Sequence, residues 1–180
     1  MSLKKLLCII KKSQNHKKET SKMKISDEGI KLIKHFEGCP TDADGNVVSY
    51  RCAANKATIG YGSLKLIDGT PVEDGMKISK QDAEDLLAHE LHEYEGYIND
   101  MVEPDLKQNE FDALVSWVFN LGPSNLAAST LLKRLNMKMW NDVPNQIKRW
   151  NKVGGVPNDG LIKRRNAEAL LFEGKEWGKV

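Results

Sequence analysis

Tyr50-Arg51-Cys52-Ala53-Ala54-Asn55-Lys56-Ala57-Thr58-Ile59-Gly60-Tyr61-Gly62 places two short β-prone runs on either side of a polar turn and ends in alternating glycines. Together with Val47-Val48-Ser49 in front of it, the stretch predicts two antiparallel strands, over 47–50 and 57–61, with Leu64-Lys65-Leu66-Ile67 as a third. Gly60 and Gly62 mark a close backbone approach, either to a neighbouring element or to a ligand. The thiol of Cys52 and the hydroxyl of Thr58 stand on this hairpin, and the acid Glu37 lies a short loop ahead of it. An acid, a thiol and a hydroxyl gathered in this way suggest an active site.

The flanks read as helices. Ile30, Ile33, Lys34 and Glu37 keep helical spacing behind Ser26, with Asp27 and Glu28 in the first turn, which predicts a helix over 27–38 capped by Ser26. Pro40 and the polar residues 41–46 then form a turn; its Asp-x-Asp-Gly spelling lacks the later bidentate acid of a calcium loop. Beyond the hairpin, Ser79 opens a long acidic helix reaching Met101, with Leu86, Leu87, Leu91 and Tyr94 on one face. Phe111, Leu114, Val115, Val118 and Phe119 define a core helix that Gly122-Pro123 ends. Ser124 or Asn125 is placed to cap the next helix, and two more amphipathic segments follow over 140–150 and 161–172. The class is α+β: a small antiparallel sheet lobe and a larger helical lobe joined by a long helix, with a cleft between them.

A chain of 180 residues forms one folding unit with a sizeable core, and 40% hydrophobic against 29% charged residues fits a globular protein with no bilayer-spanning run. The net charge of +2 conceals an asymmetry: seven lysines against Glu19 give residues 1–22 a charge of +6 and leave −4 for the rest. Two domains of behaviour follow, a basic amphipathic or disordered extension over 1–22 and a catalytic unit over 23–180. Leu3, Leu6, Leu7, Ile9 and Ile10 between lysine pairs make the extension a candidate for binding an anionic membrane. Its five continuous apolar residues fall short of a secretory core, so export by that route is not expected. Neither a nucleic-acid partner nor an oligomer is expected.

Three cysteines, Cys8, Cys39 and Cys52, have neither an even count nor a zinc-type spacing. His89-Glu90-Leu91-His92-Glu93 lacks the His-Glu-x-x-His order of zinc proteases and reads as a solvated helix face, so no metal and no cofactor is expected. Glu37, beside Ile33 and Phe36, is suited to donate a proton, because apolar neighbours favour the neutral acid.

Phe36-Glu37-Gly38, Thr58-Ile59-Gly60-Tyr61-Gly62, the segment 108–116, Phe119-Asn120-Leu121-Gly122 and the segment 160–168 together resemble the phage-type lysozymes, glycoside hydrolase family 24, in the right order over about 150 residues. That resemblance implies a lysozyme-like fold, no cofactor, and a site pattern of Glu, eight residues, Asp or Cys, five residues, Thr. Cys52 and Thr58 keep the second spacing, whereas fourteen residues separate Glu37 from Cys52, six more than the pattern, and residues 41–46 are an insertion of that size. A lengthened loop costs little. The resemblance assigns Glu37 as general acid, Cys52 to the position usually held by Asp, Thr58 as the hydroxyl that orients water, and Asn120 to the substrate cleft. Arg149 and Arg165, with Arg164, are candidate contacts to the substrate. Ser63 stands where many members carry His, which puts a local ion pair in doubt.

An ordinary thiol, with a pKa near ~8.5, is only a few per cent ionised at neutral pH, so activity is expected to rise on the alkaline side unless Arg51 or the local field acidifies Cys52. Some relatives cage a catalytic thiol in a disulfide, a role open here to Cys39 or Cys8. The implied function is that of an endolysin cleaving the β-1,4 bond between N-acetylmuramic acid and N-acetylglucosamine of peptidoglycan, with inversion the family norm. Such a protein is expected to wait in the host cytoplasm until a holin opens the inner membrane, then act on the wall. Two rival classes are a lytic transglycosylase, which closes an anhydro ring, and a lysis protein acting through its basic extension.

Overall fold

The computed structural model describes residues 22–52 and 54–180. All of the basic extension but Lys22, together with the membrane-binding expectation attached to it, lies outside the described residues. The first helix, α1 (Asp27–Glu37), ends where expected, with Gly38 at φ 67° as its cap. Ser26 occupies the N-cap position, but its hydroxyl does not turn back to cap the helix. It donates instead to Asp112 Oδ2 at 2.5 Å, while the Ser26 amide donates to Oδ1 at 2.9 Å.

The small sheet is divided differently from the sequence reading. Val47–Val48 (β1) pairs with Lys77–Ile78 (β4), and Tyr50–Arg51 (β2) pairs with Ala57–Thr58 (β3), both antiparallel. The chain changes partner at Ser49, whose amide donates to Met76 O at 2.9 Å. The expected third strand over 64–67 is one side of a turn about Asp68-Gly69, closed by Leu66 N to Thr70 O at 2.8 Å and Val72 N to Leu64 O at 2.9 Å. Its side chains do not alternate between a buried and an exposed face, since Leu64 and Ile67 are both exposed.

The inserted residues 41–46 fold on themselves. Asp42 N donates to Asn46 O, and Asp42 Oδ1 accepts from the amides of Asp44 and Asn46. Lys77 on β4 donates to Oδ2 at 2.8 Å. Because the insertion closes within itself, β2 and β3 keep their register and Cys52 stays at the hairpin.

Helix α2 (Lys80–Met101) begins with Ser79 and Asp82 in a reciprocal capping box and links the lobes. Helix α3 (Gln108–Leu121) is enclosed on all sides from Phe111 to Val118, not only along the expected stripe. It packs against α1, α2 and the last helix, α7 (Asp159–Phe172). Between them lie α4 (Pro123–Ala128), α5 (Thr130–Asn136), a 3-10 turn and α6 (Val143–Lys148). Gly122 and Ser129 cap α4 and α5, not Ser124 or Asn125, because Pro123 already occupies the first helical turn of α4. A hairpin of Lys152–Val153 (β5) and Val156–Pro157 (β6), absent from the sequence reading, precedes α7. Among the described residues no helix is long and apolar enough to cross a membrane.

Candidate active site

A cleft of about 420 Å³ runs between the lobes. Glu37 enters it from the end of α1, Tyr61, Gly62, Leu64 and Lys65 from the turn after β3, Glu90, Glu93 and Tyr94 from α2, and Phe119 and Asn120 from the end of α3. The sequence thus brings Glu37 and Asn120, far apart along the chain, to one concavity.

Glu37 is not held by apolar neighbours alone, as its sequence context suggests. Its Oε1 accepts from Arg164 Nη1 on α7 at 2.5 Å, and the side chains are 21% and 5% exposed. Phe36 contributes by lying beneath this guanidinium, 5.8 Å from ring centroid to Cζ. The other oxygen, Oε2, faces Gly62: a Cβ built at residue 62 would come within 3.9 Å of it, and φ there is +110°. A glycine at this point keeps the backbone close without covering the carboxylate.

Cys52 and Thr58 are brought together on the β2–β3 hairpin, outside the residues lining the concavity. Thr58 is buried, and its hydroxyl donates to Lys56 O at 3.0 Å. The Lys56 amide foremost, then the Thr58 hydroxyl and the Ala54 amide, hold the Cys52 thiol below its ordinary pKa. Arg51 is not the cause: it donates to Asp74 and, at 2.7 Å, to Asn55 O. Tyr50 connects this hairpin with Glu37. Burial, followed by the charges of Glu37, Cys52 and Cys39, pushes its hydroxyl up. Cys39 and Cys52 are both free thiols, and burial raises Cys39. Cys8 lies outside the described residues.

Two expected substrate contacts are placed elsewhere. Arg165 is fully buried and cannot touch a ligand; its Nη2 donates to Asn120 Oδ1 at 3.0 Å, so it supports the cleft wall from behind. Arg149 is exposed at the C-cap of α6 and is not among the cleft-lining residues. Asn120 does line the cleft, one residue before the end of α3, while Gly122 is the C-cap.

Glu90 and Glu93 are additions. Within the segment His89–Glu93, taken from the sequence as a solvated face, burial pushes the Glu90 carboxyl up against the hydrogen bond of the buried Ser63 hydroxyl. Helical spacing to Tyr94 was the one available signal, since Glu90 sits four residues before it on the same face. Ser63, the departure from the histidine of many family members, therefore supports a cleft acid without an ion pair. No group of three or more His, Cys, Asp or Glu side chains among the described residues is arranged to hold a metal ion.

The family model described as phage lysozyme matches residues 34–168. The chain is 39% identical over 152 residues to an endolysin of Bacillus phage B103, an alignment covering 83% of this chain but 54% of that one, so the chain spans about half the length of that relative. It is 36% identical to the endolysin of Salmonella phage P22, with 83% of this chain and 98% of the relative covered. Among solved structures, an endolysin from Escherichia coli O157:H7 phage FAHEc1 superposes with a TM-score of 0.75 at 36% identity, covering 83% of this chain and 93% of that one. The matched span contains Glu37, the hairpin, both cleft walls and the paired arginines of α7, and the chain belongs to the phage lysozyme family of peptidoglycan-degrading glycosidases.

Proposed function

We propose that the protein is a muramidase endolysin that adds water across the β-1,4 bond between N-acetylmuramic acid and N-acetylglucosamine. The observation that carries this reading is the setting of Glu37 in the inter-lobe cleft, one oxygen tied to Arg164 and the other turned toward Gly62. Fixing Oε1 orients the carboxyl, so that Oε2 is the atom that gives its proton to the departing glycosidic oxygen. As the bond breaks, positive charge grows on the sugar ring. Cys52, acidified by the amides of Lys56 and Ala54 and by the Thr58 hydroxyl, supplies a thiolate that accepts a proton from the attacking water or stabilises that charge. Thr58 Oγ1, whose proton goes to Lys56 O, offers its lone pairs to orient the attacking water. Asn120 and the aromatic edge of Tyr94 and Phe119, packed 5.0 Å apart, form the wall against which a sugar ring lies.

In the cell the enzyme acts on the wall after a holin opens the inner membrane. Purified sacculi test the chemistry apart from delivery. Glu37→Gln is expected to lower hydrolysis by roughly 100-fold or more; a variant that still clears sacculi near the wild-type rate rejects the assignment. Proton NMR of the first product anomer is expected to show inversion. Products lighter by one water in the mass spectrum would show an anhydro ring, and with it a transglycosylase.

A further inference from the structure

Beneath the cleft, α7 carries three ionic residues within little more than one turn, Arg164, Arg165 and Glu168, and each is almost wholly buried. Glu168, 0% exposed, gathers them. Its Oε1 accepts from Arg164 Nε at 3.2 Å, Arg165 Nη2 at 2.9 Å and, across from α3, the Ser116 hydroxyl at 2.9 Å. Its Oε2 lies 2.8 Å from Arg165 Nε. The two guanidiniums then reach away from this shared carboxylate to different helices. Arg164 donates to Glu37 at the end of α1, and Arg165 to Asn120 near the end of α3.

We propose that Glu168 is a positioning residue for the reaction, setting the Glu37 carboxyl and the Asn120 amide together through Arg164 and Arg165. The inference rests on the reading of Glu37 as the acid. Two features of the arrangement carry it. Arg164 and Arg165, with Glu37 and Glu168, make a set of two cations and two anions, so each arginine is divided between one buried anion and one cleft group. Without the charge of Glu168, both guanidiniums are left with Glu37 as their one anionic partner in the set, and each loses the anchor that fixes its direction. Asn120 Oδ1 is taken by Arg165, which leaves the amide nitrogen as the donor free to turn to the cleft, as needed to meet a sugar or acetamido oxygen. Arg165 is directed there by its Nη2 hydrogen bond to Glu168, with Nε in ionic contact with Oε2 but not hydrogen-bonded to it.

The groups facing Glu168 are Arg164 and Arg165 from α7 and Ser116 from α3; those acting on Glu37 or sensing its charge are Arg164, Arg165, Tyr50 and Tyr94. None of these but the arginines is cationic, so the neutral variant Glu168→Gln turns uncompensated positive charge on the acid. Its kcat on purified sacculi or a soluble chitooligosaccharide is expected to fall about 10- to 100-fold, the scale of a small misplacement of a catalytic group. KM is expected to rise several-fold as Asn120 loosens.

A residue serving the fold alone would lower the melting temperature and leave kcat and KM in place for the folded enzyme. A folded Glu168→Gln protein with that behaviour overturns the proposal. The double variant R165M/E168L removes charge and partner together while filling the core, which buried ion pairs commonly tolerate. It is expected to fold, with kcat/KM lowered at least 10-fold; near-wild-type kcat/KM overturns the proposal even where Glu168→Gln does not fold. Glu37→Gln is measured alongside: activity retained there sinks the reading of the acid, whereas an inactive Glu37→Gln beside wild-type-like Glu168 variants sinks the positioning role alone.

Discussion

Cys52 replaces a carboxylate by a thiol, and the hairpin compensates in part. The amides of Lys56 and Ala54 and the Thr58 hydroxyl favour the thiolate, so less alkali is needed to form it than an isolated cysteine requires. The sign follows directly. Protonation on the acid side removes the thiolate, so the acid limb of activity tracks the thiol and lies below the ordinary ~8.5. Cys52→Asp is expected to carry that limb down toward ~4, while Cys52→Ser, which cannot ionise, loses roughly 100-fold. Initial rates on sacculi between pH 4 and 10 check both, and an acid limb unmoved by Cys52→Asp would mean the thiol does not titrate in the reaction. The places of Glu37 and Asn120 at the cleft, and of Cys52 and Thr58 on the hairpin, were legible because each sits in a short local motif, although the spacing from Glu37 to Cys52 is lengthened by the turn over 41–46. Arg164 and Arg165 were legible only as arginines. They are adjacent on one helix and point to different partners, and linear order does not say which guanidinium meets Glu37, 127 residues away. Burial of Arg165 was equally hidden, since its compensation by Glu168 and Asn120 is a tertiary matter.

The helices were legible nearly to their ends, because capping and 3.6-residue periodicity are local signals. The strands were less so: with pairs two residues long, pairing is set by neighbours that arrive later, and β4 takes β1 away from the hairpin. Gly29 illustrates what such distant contacts demand. A Cβ there would stand 2.6 Å from Ile25 Cγ1 and 2.8 Å from Asp112 Cβ, so α1 meets α3 at this residue only because it is glycine. Gly29→Ala is expected to destabilise the protein by about 1–2 kcal/mol despite the better helix propensity of alanine, an outcome read from denaturant midpoints. In the turn over 41–46, Asp42 is pulled down to about 2, chiefly by the Lys77 hydrogen bond, which with help from Asn46 outweighs the opposing desolvation. Its folded value lies below the unfolded ~3.9, so its contribution is present above that pH and vanishes as pH falls toward 2. Asp42→Asn should therefore melt below wild type at pH 6 and converge with it near pH 2.

The molecule as a whole holds one core, from Leu32 on α1 to Trp177 after α7, that continues under both lobes. Among the described residues the N-terminal edge of that core is secured by Met23 N to Asn99 Oδ1 at 2.9 Å and Ile25 N to Glu95 Oε1 at 2.8 Å. A protein lacking residues 1–21 is expected to melt within about 2 °C of the full chain and to hydrolyse sacculi at the same rate, a shift of that size corresponding to about 0.5–1 kcal/mol. Loss of several degrees would place part of the extension in the folded unit. The α+β class, the two lobes and the long joining helix were legible because composition and period change sharply at Gly62 and Ser79; the division of the sheet into separate ribbons was not, because it depends on which segment reaches Val47 first. The turn over 41–46 has a use beyond its place in the fold. Its bonds are internal save for Lys77, and it stands between the helix that ends in the acid and the hairpin that carries the thiol. A tag or fluorophore grafted at its exposed tip, Ala43 to Gly45, offers a handle for following the approach of the sugar chain without altering either wall of the cleft.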